Sequence, residues 1–169
     1  MQAECIRAAP AVNATVFKVL APRVRQVYPE SMADAPYVLD DQIGYVLRRV
    51  TQRHLALFSE AIPEVTTTQF AVLARLAETG PQSQNALGRE TAMDAATIKG
   101  VVDRLARQGL VATFPDAEDR RRLTVALTID GKELFLSRAP TALTVSARTL
   151  DPLSADEQTQ LLAFLARLA

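Results

Sequence analysis

The stretch of residues 83–128 constrains the fold more than any other part of this chain. Ser83 and Asp94 are residue types that cap helix N-termini, and apolar residues follow each of them at helical spacing. After Asp94 the apolar set is Ile98, Val101, Val102 and Leu105, which share one helix face. Gly109 stands where a glycine in the left-handed conformation ends a helix. The stretch therefore begins with a short helix, a turn and a second helix.

Two strand patterns follow the second helix. Residues 110–114 form an apolar run that contains Val111, Thr113 and Phe114, and residues 123–127 alternate between apolar and smaller side chains. The polar loop between them, residues 115–122, ends in three consecutive arginines. Two helices followed by a two-stranded hairpin with a basic tip predict a winged helix-turn-helix.

A helix of this diameter fits the major groove of DNA, and its first turns present side chains to base edges. Small residues at its start let the backbone approach the groove closely, while Thr97 and Lys99 supply hydrogen bonds to bases or phosphates. Arginines at the wing tip extend to the phosphate backbone or an adjacent minor groove. The predicted DNA-contacting residues are Ser83, Asn85, Ala95, Ala96, Thr97, Lys99, Gly100, Arg104, Arg120, Arg121 and Arg122.

The run from Asp94 to Val111, followed by Asp116-Ala117-Glu118-Asp119-Arg120-Arg121, resembles the recognition helix and wing of MarR-type transcriptional regulators. The wing of that family usually has the pattern D-x-x-D-R-R. The resemblance covers residues 37–169 and implies a dimeric, ligand-responsive repressor that binds a palindromic operator in double-stranded DNA. The implied fold is mainly α with a small β-hairpin wing, intertwined as a homodimer through N- and C-terminal helices. Gly100 departs from the pattern, because many relatives carry an arginine or another long polar side chain there.

The segments outside the winged helix divide the chain further. Frequent prolines in residues 1–36 predict an N-terminal arm with at most one short helix. Residues 37–169 are expected to form a single domain, in which 37–65 and 129–169 supply dimerisation helices and 66–128 form the DNA-binding lobe. A first long helix is predicted over residues 38–62. Thr66 and Gln69 have capping-box spacing and begin the next helix, whose predicted buried residues are Phe70, Leu73, Leu76 and Ala77.

The C-terminal segment predicts two more helices. Pro140 is expected to kink or interrupt the first, whose candidate buried residues are Leu134, Phe135, Leu143 and Leu150. Ser154 and Glu157 form a second capping box before the last helix. That helix is too apolar to remain in water, which favours burial against a second copy of the chain.

The resemblance also implies an effector pocket between the first long helix, the start of the second and the base of the lobe. An apolar slot with hydroxyls and a positive end suits a planar aromatic carboxylate. Residues 37–54 and 91–105 are similar in particular to repressors of nicotinate breakdown, which implies 6-hydroxynicotinate as an effector. Hydroxycinnamates, their thioesters and benzoates remain open as alternative effectors. His54 lies on the apolar stripe of its helix, so it is either a core residue or a ligand contact, and Arg48 and Arg49 are either solvated or part of the pocket. The candidate ligand-binding residues are Leu47, Arg48, Arg49, His54, Phe58, Thr67, Thr68 and Phe70.

Composition sets weaker limits. The 19 basic and 19 acidic side chains cancel, which counts mildly against nucleic-acid binding, although arginines concentrate near the wing. Cys5 is the only cysteine, so no intramolecular disulfide forms and a reducing cytoplasm is expected. No signal peptide or membrane-spanning run is evident, so the prediction is a soluble protein without a membrane partner.

Other functions remain as alternatives or are disfavoured. One histidine and one cysteine provide no zinc-binding spacing, and no phosphate-binding glycine loop or G-x-S-x-G elbow occurs. We therefore expect neither a metal, a cofactor nor an enzyme. One alternative is a redox-sensing repressor that uses Cys5. The other is a helical protein-interaction module without DNA binding, which Gly100 and the zero net charge favour.

Overall fold

The computed structural model describes residues 36–115 and 123–169. Residues 36–42 contain a short 3-10 turn over Leu39–Asp41. The residues from Ile43 to Ala169 form a separate unit. Its elements in chain order are α1 (Ile43–Ala61), α2 (Thr67–Thr79), β1 (Gln82–Ser83), α3 (Gln84–Glu90), α4 (Ala95–Arg107), β2 (Val111–Pro115), β3 (Leu123–Leu127), α5 (Ile129–Leu150) and α6 (Ala155–Leu168).

The first long helix begins later than the apolar pattern predicted. Gln42 has an extended backbone (φ −85°, ψ 125°), and α1 starts at the following residue. The side-chain amide of Gln42 donates to the carbonyl of Val38 over 2.9 Å. This local bond satisfies a carbonyl outside a regular helix, so residues 38–42 do not continue α1.

Helix α2 begins with the predicted capping box. The hydroxyl of Thr66 accepts from the amide of Gln69, and the Gln69 side chain accepts from the amide of Thr66. The buried residues of this helix are Gln69, Val72, Leu73 and Leu76. Ala77 is exposed, which corrects the predicted buried face, because the row 69, 72, 73, 76 lies on the side that packs inward.

Helices α3 and α4 form the predicted helix-turn-helix. The hydroxyl of Ser83 accepts from the amide of Ala86 over 3.3 Å at the start of α3. Helix α4 ends at Arg107, and Gly109, two residues later, has a left-handed φ of 73°. The amide of Leu110 donates to Leu105 and that of Gly109 to Ala106, which together form a Schellman motif. Leu110 therefore belongs to the helix end, and strand β2 starts one residue later than predicted.

The wing is part of a three-stranded sheet rather than the predicted two-stranded hairpin. The strand order is β1-β3-β2, and both pairs are antiparallel. β1 pairs Gln82 with Val125 and Ser83 with Thr124. A strand of two polar residues has no apolar alternation, which is why its sequence did not predict it. β1 attaches the start of α3 to the wing.

The hydrophobic core joins the end of α1 to the DNA-binding lobe and to α5. Its buried members come from α1, the α1–α2 connection, each of the helices α2, α3 and α4, the sheet and one turn of α5. They are Phe58, Ile62, Val65, Val72, Leu73, Leu76, Leu87, Ile98, Val101, Val102, Leu105, Val111, Val125 and Val145. The four predicted buried residues of α4 are among them, so its opposite face is left to solvent.

Helix α5 runs from Ile129 to Leu150 through Pro140, so the proline does not interrupt it. Contacts hold the helix on both sides of that residue: Phe135 lies against Phe70, with ring centroids 5.5 Å apart, and Val145 is fully buried. Leu143 is exposed, which corrects its predicted burial. These contacts compensate for the one backbone hydrogen bond that a proline removes.

The last helix has its predicted capping box, in which Ser154 and Glu157 exchange hydrogen bonds. In a single copy of the chain its apolar side chains remain in solvent, and Leu162, Phe164 and Leu168 are exposed by 54%, 54% and 76%. Exposed apolar groups also lie on the first half of α1, at Val46, Leu47 and Val50. Within the described ranges, no helix has the length and apolar content needed to cross a bilayer.

Candidate nucleic-acid interface and effector cleft

The N-terminus of α4 is fixed by Asp94. Its Oδ1 accepts hydrogen bonds from the amides of Ala96 and Thr97, both over 2.9 Å, and its Oδ2 accepts from the Thr97 hydroxyl over 2.6 Å. The Thr97 hydroxyl, then the amides, hold the pKa of Asp94 below its ordinary value, since these donors stabilise the carboxylate. The Thr97 hydroxyl donates its proton to the cap, and its oxygen can still accept a hydrogen bond.

The exposed face of α4 contains the predicted contact residues. Ala95, Ala96, Thr97, Lys99 and Arg104 are exposed, and Gly100 is partly so. Nζ of Lys99 lies 2.7 Å from Oδ2 of Asp103, one turn along the helix. Lys99 therefore presents a charge that is already paired, and it would have to leave Asp103 to bind a phosphate.

The other predicted DNA-contacting residues flank this helix. Asn85 is exposed on α3, and Ser83 is partly buried in β1, where its hydroxyl caps α3. Arg120, Arg121 and Arg122 lie outside the described residues, between the paired strand ends Pro115 and Leu123.

A polar cluster that the sequence did not predict holds α3 against α2. The guanidinium of Arg75 donates to Glu78 over 2.7 Å and lies 3.6 Å from a carboxylate oxygen of Glu90 on α3. Gln82 donates to the same Glu90 and to Thr79. The cluster ties together the end of α2, strand β1 and the end of α3, so α3 is fixed relative to α2.

A cleft of about 480 Å³ lies where α1 meets α2. Its walls are the last turns of α1, the α1–α2 connection and the first turn of α2. The lining residues are Leu55, Ala56, Phe58, Ser59, Ile62, Pro63, Glu64, Val65, Thr66, Thr67 and Gln69. The volume is within the range of small-molecule sites, and mostly apolar walls with several hydroxyls are typical of them.

Two of the eight predicted ligand-binding residues, Phe58 and Thr67, line this cleft. Phe70 supports its wall, since its ring meets that of Phe58 edge to face with centroids 5.6 Å apart. His54 bonds to Thr149 of α5, with Nδ1 3.0 Å from the hydroxyl oxygen. The remaining four lie outside the lining on exposed positions; these are Leu47, Arg48, Arg49 and Thr68.

Glu64, one of the residues that line the cleft, forms an ion pair with Arg138 of α5. A hydrogen bond from its own backbone amide and then the contact with Arg138 hold the pKa of Glu64 below its ordinary value. The negative charge of Glu64 at the cleft is therefore paired with the positive charge of Arg138.

Gln69 links the cleft to the recognition helix. It is buried, it lines the cleft, and its Oε1 accepts from the amide of Thr66 over 2.8 Å. Its Nε2 donates to the side-chain oxygen of Gln108 over 3.0 Å, and Gln108 is the C-cap residue of α4. The sequence indicated Gln69 as a capping-box residue, but no pattern indicated Gln108 as its partner.

A capped helix with an exposed face, held by a helix-turn-helix body and followed by a β wing, defines a winged-helix DNA-binding protein. Comparison with known proteins agrees: the MarR family model matches residues 65–123. The HTH-type transcriptional repressor NicR of Pseudomonas putida is 38% identical over 137 residues, which cover 80% of this chain and 87% of NicR. The chain belongs to the MarR family.

Solved structures show the same fold over most of this chain. A probable transcriptional regulator from Pseudomonas aeruginosa shares 50% identity, with a TM-score of 0.76 over 78% of this chain and 100% of its own. BpsR of Bordetella bronchiseptica, whose DNA binding is regulated by 6-hydroxynicotinic acid, shares 36% identity, with a TM-score of 0.76 over 79% of this chain and 97% of BpsR. The predicted mainly helical winged-helix fold is confirmed, and the chain is a transcriptional regulator rather than an enzyme.

Proposed function

We propose that this chain is a homodimeric repressor whose operator binding is relieved by a small aromatic carboxylate such as 6-hydroxynicotinate. The single observation that carries the ligand response is Gln69, which lines the cleft and donates to Gln108 at the end of the recognition helix. A ligand changes DNA binding only if it favours one arrangement of the recognition helices over another. A ligand that takes the Gln69 amide as a partner removes a bond that holds α4.

The cleft chemistry supports a flat, weakly polar acid. Leu55, Phe58, Ile62 and Val65 provide apolar walls for an aromatic ring. The hydroxyls of Thr66 and Thr67 provide donors for a carboxylate, as do the amides of the first turn of α2 that the capping box does not use; the helix dipole also favours a negative charge there. This assignment differs from the predicted positive end, since Arg48 and Arg49 are not among the lining residues.

The exposed apolar side chains of α1 and α6 support the homodimer. Leu162, Phe164 and Leu168 of α6 are more than half exposed in one copy, and water is an unfavourable environment for such a set. We expect the segments 37–65 and 129–169 to supply the dimer contacts and 66–128 to form the DNA-binding lobe. A dimer places two recognition helices on the half-sites of a palindrome of about 16–20 base pairs.

Family membership disfavours the interaction-module alternative, and the redox alternative depends on Cys5, which lies outside the described residues. A regulator that acts on bacterial chromosomal DNA works in the cytoplasm. We therefore expect a cytoplasmic, DNA-bound dimer in the absence of effector.

The test is titration of the full chain into labelled duplex DNA from upstream of its own gene, at low and moderate salt, with and without 6-hydroxynicotinate. Nicotinate, which lacks the hydroxyl, and a scrambled duplex are the controls. We expect saturable binding to the upstream duplex that 6-hydroxynicotinate releases, and sedimentation as a dimer. Binding without release by any aromatic acid would overturn the effector assignment, and equal binding to the scrambled duplex would overturn the operator.

A further inference from the structure

The recognition helix has a gap in its outer face. Ala96 and Gly100 lie one turn apart on the side opposite the buried residues of α4, and neither has a side chain beyond Cβ. A glycine inside a helix costs about 1 kcal/mol relative to alanine, so helix stability does not favour Gly100. What its lack of a side chain provides is space above the helix backbone.

The guanidinium of Arg104 fills the space over Gly100. A Cβ built on Gly100 would lie 3.7 Å from Nη1, 3.8 Å from Nη2 and 4.0 Å from Cζ of Arg104. The arginine thus folds back toward the helix N-terminus, in the direction that helical side chains favour. Because one turn rises about 5.4 Å, this brings its charged group nearer to the turns that meet base edges.

Arg104 also differs from the neighbouring cations in its partners. Lys99 is paired with Asp103, and Nε of Arg107 donates to the Asp103 carbonyl over 3.3 Å. Within residues 36–115 and 123–169, no hydrogen bond or ion pair engages the guanidinium of Arg104, and the residue is exposed. Its planar set of donors is available to a ligand that approaches this face.

We propose that Arg104, lying over Gly100, is the side chain with which each recognition helix recognises a guanine in the operator. A guanidinium bonds guanine through O6 and N7 at once, which is the commonest base-specific contact in the major groove. The inference rests on the proposed operator binding, and it identifies a specificity-determining residue for that function. Gly100 keeps the place of the guanidinium free of any long side chain.

The test begins with wild-type full chain and a pool of random duplexes, from which the tightest-binding sequence is selected and used as the probe. Each guanine of a half-site is then replaced by adenine or by 7-deazaguanine, which lacks the N7 acceptor. We expect one guanine per half-site at which replacement by adenine weakens wild-type binding roughly 5- to 150-fold, the range for one bidentate base contact.

The decisive variant is Arg104→Lys, which keeps the positive charge but removes the planar pair of N–H donors that bonds O6 and N7 together. We expect this variant to bind the guanine and the adenine duplex with about equal affinity. Its affinity for random duplex should stay near that of wild type, because the attraction to phosphates depends on charge. Arg107→Lys is the matched control on the same helix and should keep the wild-type preference. Preference retained by Arg104→Lys, or equal weakening on all duplexes, would overturn the proposal.

Gly100→Met tests the second half of the inference. Its side chain extends into the space that the guanidinium occupies, so we expect loss of preference at the same guanine and no further loss when it is combined with Arg104→Lys. Methionine is the better helix former, so thermal unfolding should show a folded variant. Wild-type preference in Gly100→Met would refute the role of Gly100. Failure of the wild type to bind any duplex would instead refute the proposed function, and this inference with it.

Discussion

The hydrogen bond between Gln69 and Gln108 provides the sharpest test of how the cleft acts on DNA binding. In Gln108→Met the C-cap residue keeps its length and stays uncharged, but it no longer accepts from Nε2 of Gln69. The capping box of α2 is untouched, because Gln69 uses Oε1 for it. The change therefore removes the link without removing either helix end.

The magnitude follows from the strength of one partly buried hydrogen bond. Such a bond contributes a net of about 0.5–1.5 kcal/mol, which corresponds to about 2- to 13-fold in an equilibrium constant. If the bond holds α4 in its DNA-binding position, Gln108→Met weakens operator binding without effector by that factor. It reduces the release caused by effector by the same factor, since the bond that the effector would break is already gone.

Fluorescence anisotropy on a labelled operator, with and without saturating effector, measures both constants. Gln108→Glu is the matched control, because its carboxylate still accepts from Gln69. Its charge shifts both operator constants together, so the release ratio should remain that of wild type. A Gln108→Met protein with a wild-type release ratio would show that the coupling runs through other contacts.

Two further substitutions test the local structure around the interface. Gly131→Ala should destabilise the fold by about 1–3 kcal/mol or more, because the added Cβ would lie 1.9 Å from the carbonyl oxygen of Leu110. That cost corresponds to about 2–12 °C in Tm, whereas Gly44→Ala, which meets nothing within 4 Å, should keep or raise Tm; equal Tm values would contradict the contact. The stability of Asp94→Asn should approach that of wild type as pH falls below about 4. Because the pKa of Asp94 is lower in the folded than in the unfolded protein, its charge stabilises the fold at pH values above the unfolded pKa. That stabilisation is lost as pH falls through the folded pKa. A stability gap between them that does not narrow in acid would refute the role of the Asp94 charge.

Features that depend on a few neighbouring residues could be predicted from the sequence. The caps at Thr66, Ser83, Asp94 and Ser154 all form, because each is a hydrogen bond between residues two or three positions apart. Gly109 adopts its left-handed conformation for the same local reason. The buried face of α4 follows from its helical period alone.

Features that join distant segments could not be predicted in this way. Gln69 and Gln108 are 39 positions apart, and strand β1 exists only because β3 returns beside it. The predicted ligand-binding residues were chosen from helix faces, whereas the cleft is formed where the α1–α2 connection turns. Phe58 and Thr67 belong to both sets because they lie next to that turn.

The sequence by itself determined that this chain is a winged-helix regulator, since helix caps, periodicity and the wing pattern are local properties. The tertiary structure decided which side chains are available to ligands. It alone placed the Arg104 guanidinium over Gly100, paired Lys99 with Asp103, and buried Gln69 between a cleft and the recognition helix. These positions depend on rotamers and on packing between elements, which the order of residues along the chain does not specify.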